Sequence, residues 1–192
     1  MTRQELFIAA NRAVRTSIDQ IKEGQWTLEM PPGTSTKPST LREAVRYHIF
    51  DDAWVPEALA GKTIDEVGDA YDYLRDEESL PILATFDDYN QRASDVVSNF
   101  TDLTSIVHLS YGDYSADEYL LHIIIFRAFR SYDIAKLIGV STRMDTPLVQ
   151  ALWDTLTPVV EQFRQIGVFP PALAVGENAS PQEKLLALVG RK

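Results

Sequence analysis

The chain has 192 residues, of which 45% are apolar and 24% charged, a composition typical of a globular domain rather than a disordered segment. Its 18 basic and 28 acidic residues give a formal net charge of −10, so nucleic-acid binding, which needs a basic patch, is not expected. Cysteine is absent, which excludes disulfides, thiolate metal ligands and a cysteine nucleophile. No apolar run reaches the roughly 20 residues that span a bilayer, and the N-terminus lacks a signal-peptide pattern. A cytoplasmic protein without membrane contact is expected.

Helix start signals recur along the chain as capping boxes, in which a Ser or Thr is followed three residues later by Glu. Four pairs fit this pattern: Thr2 with Glu5, Thr40 with Glu43, Ser115 with Glu118, and Ser180 with Glu183. Pro81 and Pro147 can occupy first turns of two further helices, where a missing amide costs nothing. Together these signals predict helices over Thr2–Glu23, Thr40–Ala60, Leu80–Leu103, Ser115–Ile138, Asp145–Ile166 and Ser180–Val189.

The interruptions between these helices have their own signatures. Glu29–Pro38 is rich in Pro, Gly, Ser and Thr and is predicted to be a loop, while Ile106–Tyr111 alternates like a short extended segment. Pro56 and Pro158 lie inside helical patterns, so a bend or break is expected near Val55 and a kink at Pro158. The sequence contains no Gly-rich phosphate loop, zinc-binding helix motif or serine nucleophile elbow, so no local motif assigns a function.

The helical pattern predicts an all-α protein, with residues 1–192 forming a single domain. Four helices of about 20 residues with short accessory helices favour a four-helix up-down bundle with a long crossover. Ser115–Ile138 contains the run LLHIIIFRAF and is the most apolar helix, so it is expected to lie centrally in the bundle.

Four segments, taken in order, carry a resemblance to a known family. They are WVPEALAGKTIDEVGD (54–69), VHLSYGDYSADEYL (107–120), YDIAKLIG (132–139) and PQEKLLALVGR (181–191). The chain resembles the DinB-like superfamily, in particular the actinobacterial branch similar to the N-terminal metal-binding domain of mycothiol-dependent maleylpyruvate isomerase. The resemblance implies a four-helix bundle, often a homodimer, and in several members a divalent metal with a thiol cofactor such as mycothiol or bacillithiol.

The resemblance also implies where metal ligands would lie. Members carry one histidine on the second helix, seven residues before the position of Trp54, and two ligands four residues apart on the helix that follows SYGD. Carried over, these positions are Tyr47, Phe126 and Arg130. Phenylalanine has no ligating atom, and arginine stays protonated. The expectation is therefore a degenerate metal site, without metal or thiol cofactor, in a protein that is non-catalytic or binds a small molecule.

His48 keeps an alternative open, because it is adjacent to Tyr47. A helix register shifted by one residue would make His48 a ligand for zinc or nickel, and the protein an active metal-dependent thiol (mycothiol) S-transferase or isomerase. The other interpretation is a packed histidine beside Ile49. His108 is expected to hydrogen-bond a loop backbone, and His122 to pack at the boundary of the core.

Arg130 lies on the most apolar helix, where a charge needs a partner. One hypothesis pairs it with Asp133, Asp51 or Asp52, so that an ion pair fills the space where relatives hold metal. The other is a ligand pocket in which Arg130 and Tyr47 bind a small anionic or thiol ligand, with Phe126 and Asp51 as further pocket residues.

Overall fold

The computed structural model describes residues 1–31, 39–76 and 79–192. The predicted loop Glu29–Pro38 therefore lies mostly outside the described residues. The chain divides into two compact units, the first formed by Met1–Met30 and Ser39–Ser141 and the second by Thr142–Lys192 with Pro31. The prediction of one domain over residues 1–192 stays a prediction.

The described residues are mostly helical, which confirms the all-α prediction at that level. The helices are α1 Arg3–Ile18, a short 3-10 helix Glu23–Gln25, α2 Leu41–Leu59, α3 Ile64–Val67, α4 Tyr73–Asp76, α5 Ile82–Asn99, α6 Ala116–Ile138, α7 Thr146–Leu156, α8 Val160–Gln165 and α9 Pro181–Leu188. One antiparallel pair, β1 Ile106–Leu109 and β2 Gly112–Ser115, completes the secondary structure.

All four predicted capping boxes form, and they begin α1, α2, α6 and α9. A fifth box, Thr63 with Glu66, begins α3 and was not predicted. In each box the hydroxyl accepts a hydrogen bond from the third helical amide, and the carboxylate accepts one from the amide of the cap residue. Local sequence decides where these helices start, because the groups that bond lie three residues apart.

Two helices and the two proline sites depart from the predictions, whereas α6 ends at Ile138 as predicted. The first helix ends at Ile18 rather than Glu23, and the third long helix spans Ile82–Asn99 rather than Leu80–Leu103. Helix α2 continues through Pro56 to Leu59 without a break. The predicted helix Asp145–Ile166 is two helices, α7 and α8, separated at residues 157–159 around Pro158. Proline removes one backbone hydrogen bond, and tertiary packing decides whether the helix continues past it.

The first unit is built on four long helices. Helix α1 packs against α6 and α5, and α5 packs against α2, whereas the α2 and α6 backbones approach each other little. A hydrophobic core runs through this unit, with members from α1, α2, α4, α5, α6 and the segment between α1 and α2: Val14, Ile18, Ile21, Trp26, Met30, Leu41, Ala44, Val45, Ile49, Ala53, Leu74, Phe86, Ile134 and Ile138. Side chains, rather than close backbone packing, therefore bridge the space between α2 and α6.

The hairpin β1–β2 lies at the N-terminal end of α6, where β1 contacts both α2 and α6. The sequence predicted the first extended segment, Ile106–Tyr111, but not its partner strand. Ser110 and Tyr111 form a two-residue turn, and Gly112 opens β2 with φ +134°, which a side chain would strain. The hairpin thereby brings Tyr111 to the α2–α6 side of the unit.

In the second unit, α7 packs against α9. The Gln182 side chain ties the segment before α7 to α9, since it donates to the Thr142 carbonyl at 2.8 Å and accepts from the Met144 amide at 2.9 Å. Gly190 has φ +73°, and an added Cβ would lie 2.3 Å from Pro170 Cγ, so glycine is required there. Within the described ranges, no helix is both long and apolar enough to cross a membrane.

Candidate functional site

A buried ion pair between Arg127 of α6 and Asp52 of α2 bridges the space between these helices. Both side chains are 1% exposed. Asn90 of α5 donates to the second carboxylate oxygen of Asp52 at 3.2 Å, and the Arg127 guanidinium lies 5.3 Å from the ring centre of Phe7 on α1. Each of the four long helices thus contributes one member to this group.

This arrangement gives Asp52, one of the three carboxylates expected for Arg130, to Arg127, and a pairing of Arg130 with Asp133 or Asp51 stays a prediction. Of the two arginines, Arg127 is the fully buried one, and its partner is Asp52. The sequence had suggested Asp52 as a possible partner of Arg130 instead. The sequence did not predict an ion pair of Arg127, because the surrounding segment LLHIIIFRAF contains no carboxylate that could indicate a partner. Asp52 lies 75 residues away in the chain, so only the packing of α6 opposite α2 brings the two together.

The three positions at which the resemblance places metal ligands meet around the ring of Phe126. The Tyr47 ring stands edge-on to it with centroids 6.1 Å apart, and the Arg130 guanidinium lies over it at 5.1 Å. Phe126 and Arg130 are partly exposed, and Tyr47 is 48% exposed, so this group lies at the rim of the unit. We call Tyr47, His48, Asp51, Phe126 and Arg130 together the Phe126 site.

His48 is the buried member of the Phe126 site. Its ring stacks on Phe126 with centroids 4.7 Å apart, and its side chain is only 1% exposed. Burial, together with the charges of Arg130 and Arg127, holds the pKa of His48 well below its usual 6.5. A neutral imidazole offers one donor and one acceptor. Neither ring nitrogen has a hydrogen-bond partner among the described residues.

Asp51 is the titratable member of the site near neutral pH. Burial raises the pKa of its carboxyl to about 7, although Arg127 and Arg130 lower it and Asp52 raises it further. Its charge in turn is the main cause of the raised pKa of Tyr47, one helical turn earlier. A carboxyl of this kind changes charge between pH 6 and 8, which an ordinary aspartate does not.

The hairpin supplies further aromatic groups to this end of the unit. Tyr111 is 60% exposed, and its hydroxyl lies 3.3 Å from Nδ1 of His122, which packs edge-on against Tyr114. Partial loss of hydration at the phenol, together with the neighbouring Tyr114, raises the pKa of Tyr111 to about 12. His122 is half-buried, which lowers its pKa and agrees with a boundary position.

His108 differs from its predicted contact. Instead of a loop backbone, it faces Asp113 across the hairpin, with Nδ1 and the carboxylate 2.8 Å apart. The two residues are directly opposite in the strand register, so this pair belongs to the hairpin and not to the Phe126 site.

The donor chemistry of the Phe126 site does not fit a divalent metal. His48 could supply one nitrogen, but Phe126 has no ligating atom, and two guanidinium groups oppose a further positive charge. In the part of the chain that the structure describes, no group of three or more His, Cys, Asp or Glu residues could hold a metal ion.

A scan against protein-family models, and searches of curated proteins and of solved structures, find no match to this chain.

Proposed function

We propose that this chain is a DinB-like four-helix bundle, similar to the mycothiol-dependent maleylpyruvate isomerase domain, in which a binding site for a small carboxylate replaces the metal site. Four long helices in one unit support the bundle, as does the meeting of Tyr47, Phe126 and Arg130 around one ring. The proposed protein is non-catalytic and binds its ligand reversibly.

The observation that carries this proposal is a set of buried nitrogens. Both ring nitrogens of His48, and Nε and Nη1 of Arg127, are buried and have no hydrogen-bond partner among the described residues. A buried polar group without a partner costs about 1–3 kcal/mol, and proteins retain such groups mainly where they serve a ligand or a reaction. A bound carboxylate offers two acceptor oxygens, which the single N–H of neutral His48 and the two Arg127 nitrogens can use.

The chemistry around these nitrogens favours an anion with a flat apolar body. Arg127 and Arg130 bring two guanidinium groups to the site, each with five N–H donors, so an anion can bind alongside the contacts they already make. The rings of Phe126 and Tyr47 offer faces and edges for an apolar group. Aromatic carboxylates combine these two features, whereas inorganic phosphate matches only the charge.

Calorimetry with benzoate, acetate and inorganic phosphate tests the proposal. Benzoate is expected to bind with a Kd of about 1 mM, as a fragment of its size does, and more tightly than acetate or phosphate. Arg130→Gln should weaken benzoate binding about tenfold or more, because a charged hydrogen bond is lost. Arg92→Gln, on the exposed face of α5, is the matched control and should bind like the wild type. No heat from any of the three ligands would defeat the proposal.

The competing function is a metal-dependent thiol S-transferase or isomerase that uses His48 as a ligand. Its support is the pair of buried His48 nitrogens, which are also what a metal ligand would offer. Elemental analysis of the purified protein separates the two functions. Stoichiometric zinc or nickel that disappears in His48→Gln would replace the carboxylate proposal with the enzyme.

A further inference from the structure

We propose that the ligand of the Phe126 site is elongated, with an aromatic body that extends along Tyr47 to Phe50 and a second anionic group that binds at Arg75. The inference rests on the proposed function, since it concerns the same ligand. It narrows the ligand class from aromatic carboxylates in general to aromatic compounds with a negative charge at each end. It also assigns Arg75 as the residue that determines this preference.

A row of three aromatic rings leads away from the Phe126 site along α2. Tyr47 stands edge-on to Phe126 with centroids 6.1 Å apart, and the ring of Phe50 lies 6.2 Å beyond that of Tyr47. Tyr47 and Phe50 are three residues apart, so they lie on the same face of the helix. Tyr47 is exposed, and Phe50 and Phe126 are partly exposed. A ligand can therefore contact this row from the solvent side.

Guanidinium groups lie over the rings at both ends of the row. Arg130 lies 5.1 Å from the ring centre of Phe126, and Arg75 of α4 lies 4.4 Å from that of Phe50. The Arg75 side chain is 41% exposed, and its hydrogen bond to Asp72 at 2.6 Å uses one of its five N–H donors. An anionic group at Phe50 can therefore bind Arg75 alongside Asp72.

Arg46 adds positive charge at the Phe50 end of the row. It precedes Phe50 by one turn of α2 and is only 6% exposed. Its Nη1 donates to the Arg75 carbonyl at 3.2 Å, which ties α4 to α2, whereas its Nη2 is buried without a hydrogen-bond partner among the described residues. A buried guanidinium is costly unless an anion offsets its charge. This end of the row therefore favours a negative ligand group.

The length of the row determines the length of the ligand. Aromatic rings pack with centroids about 4.5–7 Å apart, so a single ring covers about one step of the row. Benzoate can thus occupy one end, while two linked rings are needed to lie across Tyr47 and bring a second carboxylate to Phe50. A body of two rings with a carboxylate at each end matches the order of groups on the protein, which is guanidinium, three rings, guanidinium.

Calorimetry with benzoate, biphenyl-4-carboxylate and biphenyl-4,4′-dicarboxylate tests the inference on the intact chain. The biphenyl monocarboxylate should bind about tenfold more tightly than benzoate, because its second ring is buried against the row. The dicarboxylate should bind about tenfold more tightly again, because it gains a charged hydrogen bond at Arg75. This ligand series on the wild type needs no variant, so a folding defect cannot obscure it.

Arg75→Gln should reduce the preference for the dicarboxylate over the biphenyl monocarboxylate from about tenfold to under about twofold. Both affinities are measured on the same variant, so a general loss of binding cancels in their ratio. Arg92→Gln is the matched control, because Arg92 also lies over a ring, that of Tyr89 at 5.1 Å, and also pairs with an aspartate, Asp88. It lies on α5 outside the row and should keep the tenfold preference.

The outcomes separate the inference from the function on which it rests. Equal affinities of the two biphenyl acids for the wild type overturn the role of Arg75 and leave carboxylate binding intact. A preference that persists in Arg75→Gln, or that disappears equally in Arg92→Gln, also overturns it. Absence of binding by benzoate and by both biphenyl acids defeats the proposed function itself.

Discussion

Asp51 and Asp52 are adjacent on α2, yet they lie in two regions that treat a carboxylate charge differently. Asp52 lies in the interior, paired with Arg127 and hydrogen-bonded by Asn90. Asp51 lies in the Phe126 site at the rim, where burial raises its pKa to about 7. One residue along a helix is a rotation of about 100°, which here separates a structural carboxylate from a titratable one.

The contrast shows that burial alone does not decide what a charged side chain does. In the interior, the charge of Asp52 is compensated by a partner with defined geometry, so the pair holds helices together. At Asp51 the charges of Arg127 and Arg130 lower the pKa but do not offset the effect of burial. Compensated charges specify a structure, while partly compensated ones remain available for binding and for protons.

Breaking the interior pair should have the largest effect. Arg127→Met should lower the free energy of unfolding by about 3–5 kcal/mol, because it leaves the Asp52 carboxylate buried without its cation. Denaturant unfolding of the purified variant measures this loss. Arg92→Met, which removes the exposed pair with Asp88, is the control and should cost under about 1 kcal/mol.

The double variant Arg127→Met with Asp52→Leu sharpens the same test. It replaces both charges with apolar groups, and it should recover most of the stability that Arg127→Met loses. If the double variant is as unstable as the single one, packing around Arg127, including its contact with Phe7, dominates over charge compensation.

Asp51→Asn should have an intermediate effect on stability, and unlike Arg127→Met it should raise the free energy of unfolding. Because the folded-state pKa of Asp51 lies above the unfolded value of 3.8, its contribution to stability is present at low pH and is lost as pH rises through about 7. The variant should match the wild type near pH 4 and exceed its free energy of unfolding by about 1–3 kcal/mol at pH 8. Equal stabilities at pH 8 would show that Asp51 titrates like an exposed aspartate.

His48→Gln should have the smallest effect, a change in how the free energy of unfolding depends on pH. The folded-state pKa of His48 lies below 6.5, so the unfolded chain binds the proton more strongly and wild-type stability falls as pH drops below 6.5. Between pH 7.5 and pH 5.5 this loss should be about 1 kcal/mol, and His48→Gln should abolish it. The same substitution at His108, which lies on the hairpin, should leave the loss in place; if it does not, His48 is not its source.

Helix starts were the most predictable feature of the molecule. The boxes at Thr2, Thr40, Ser115 and Ser180 all formed, because the hydroxyl and carboxylate of each act on amides within one turn. Helix ends were less predictable. Ile18 ends α1 five residues before the predicted end, and Pro158 lies in a gap between two helices rather than at a kink, since both outcomes depend on packing beyond the helix.

The sequence by itself determined the helical composition and the starts of α1, α2, α6 and α9. Apolar periodicity and capping chemistry are local, and the resemblance pointed to Tyr47, Phe126 and Arg130, which do lie around one ring. Only the tertiary structure decided which arginine is buried. Arg127 and Arg130 are chemically identical and three residues apart, but Arg127 is the fully buried one and pairs with Asp52 across the space between α2 and α6. A contact between residues 75 positions apart is set by the packing of whole helices, which no local pattern encodes.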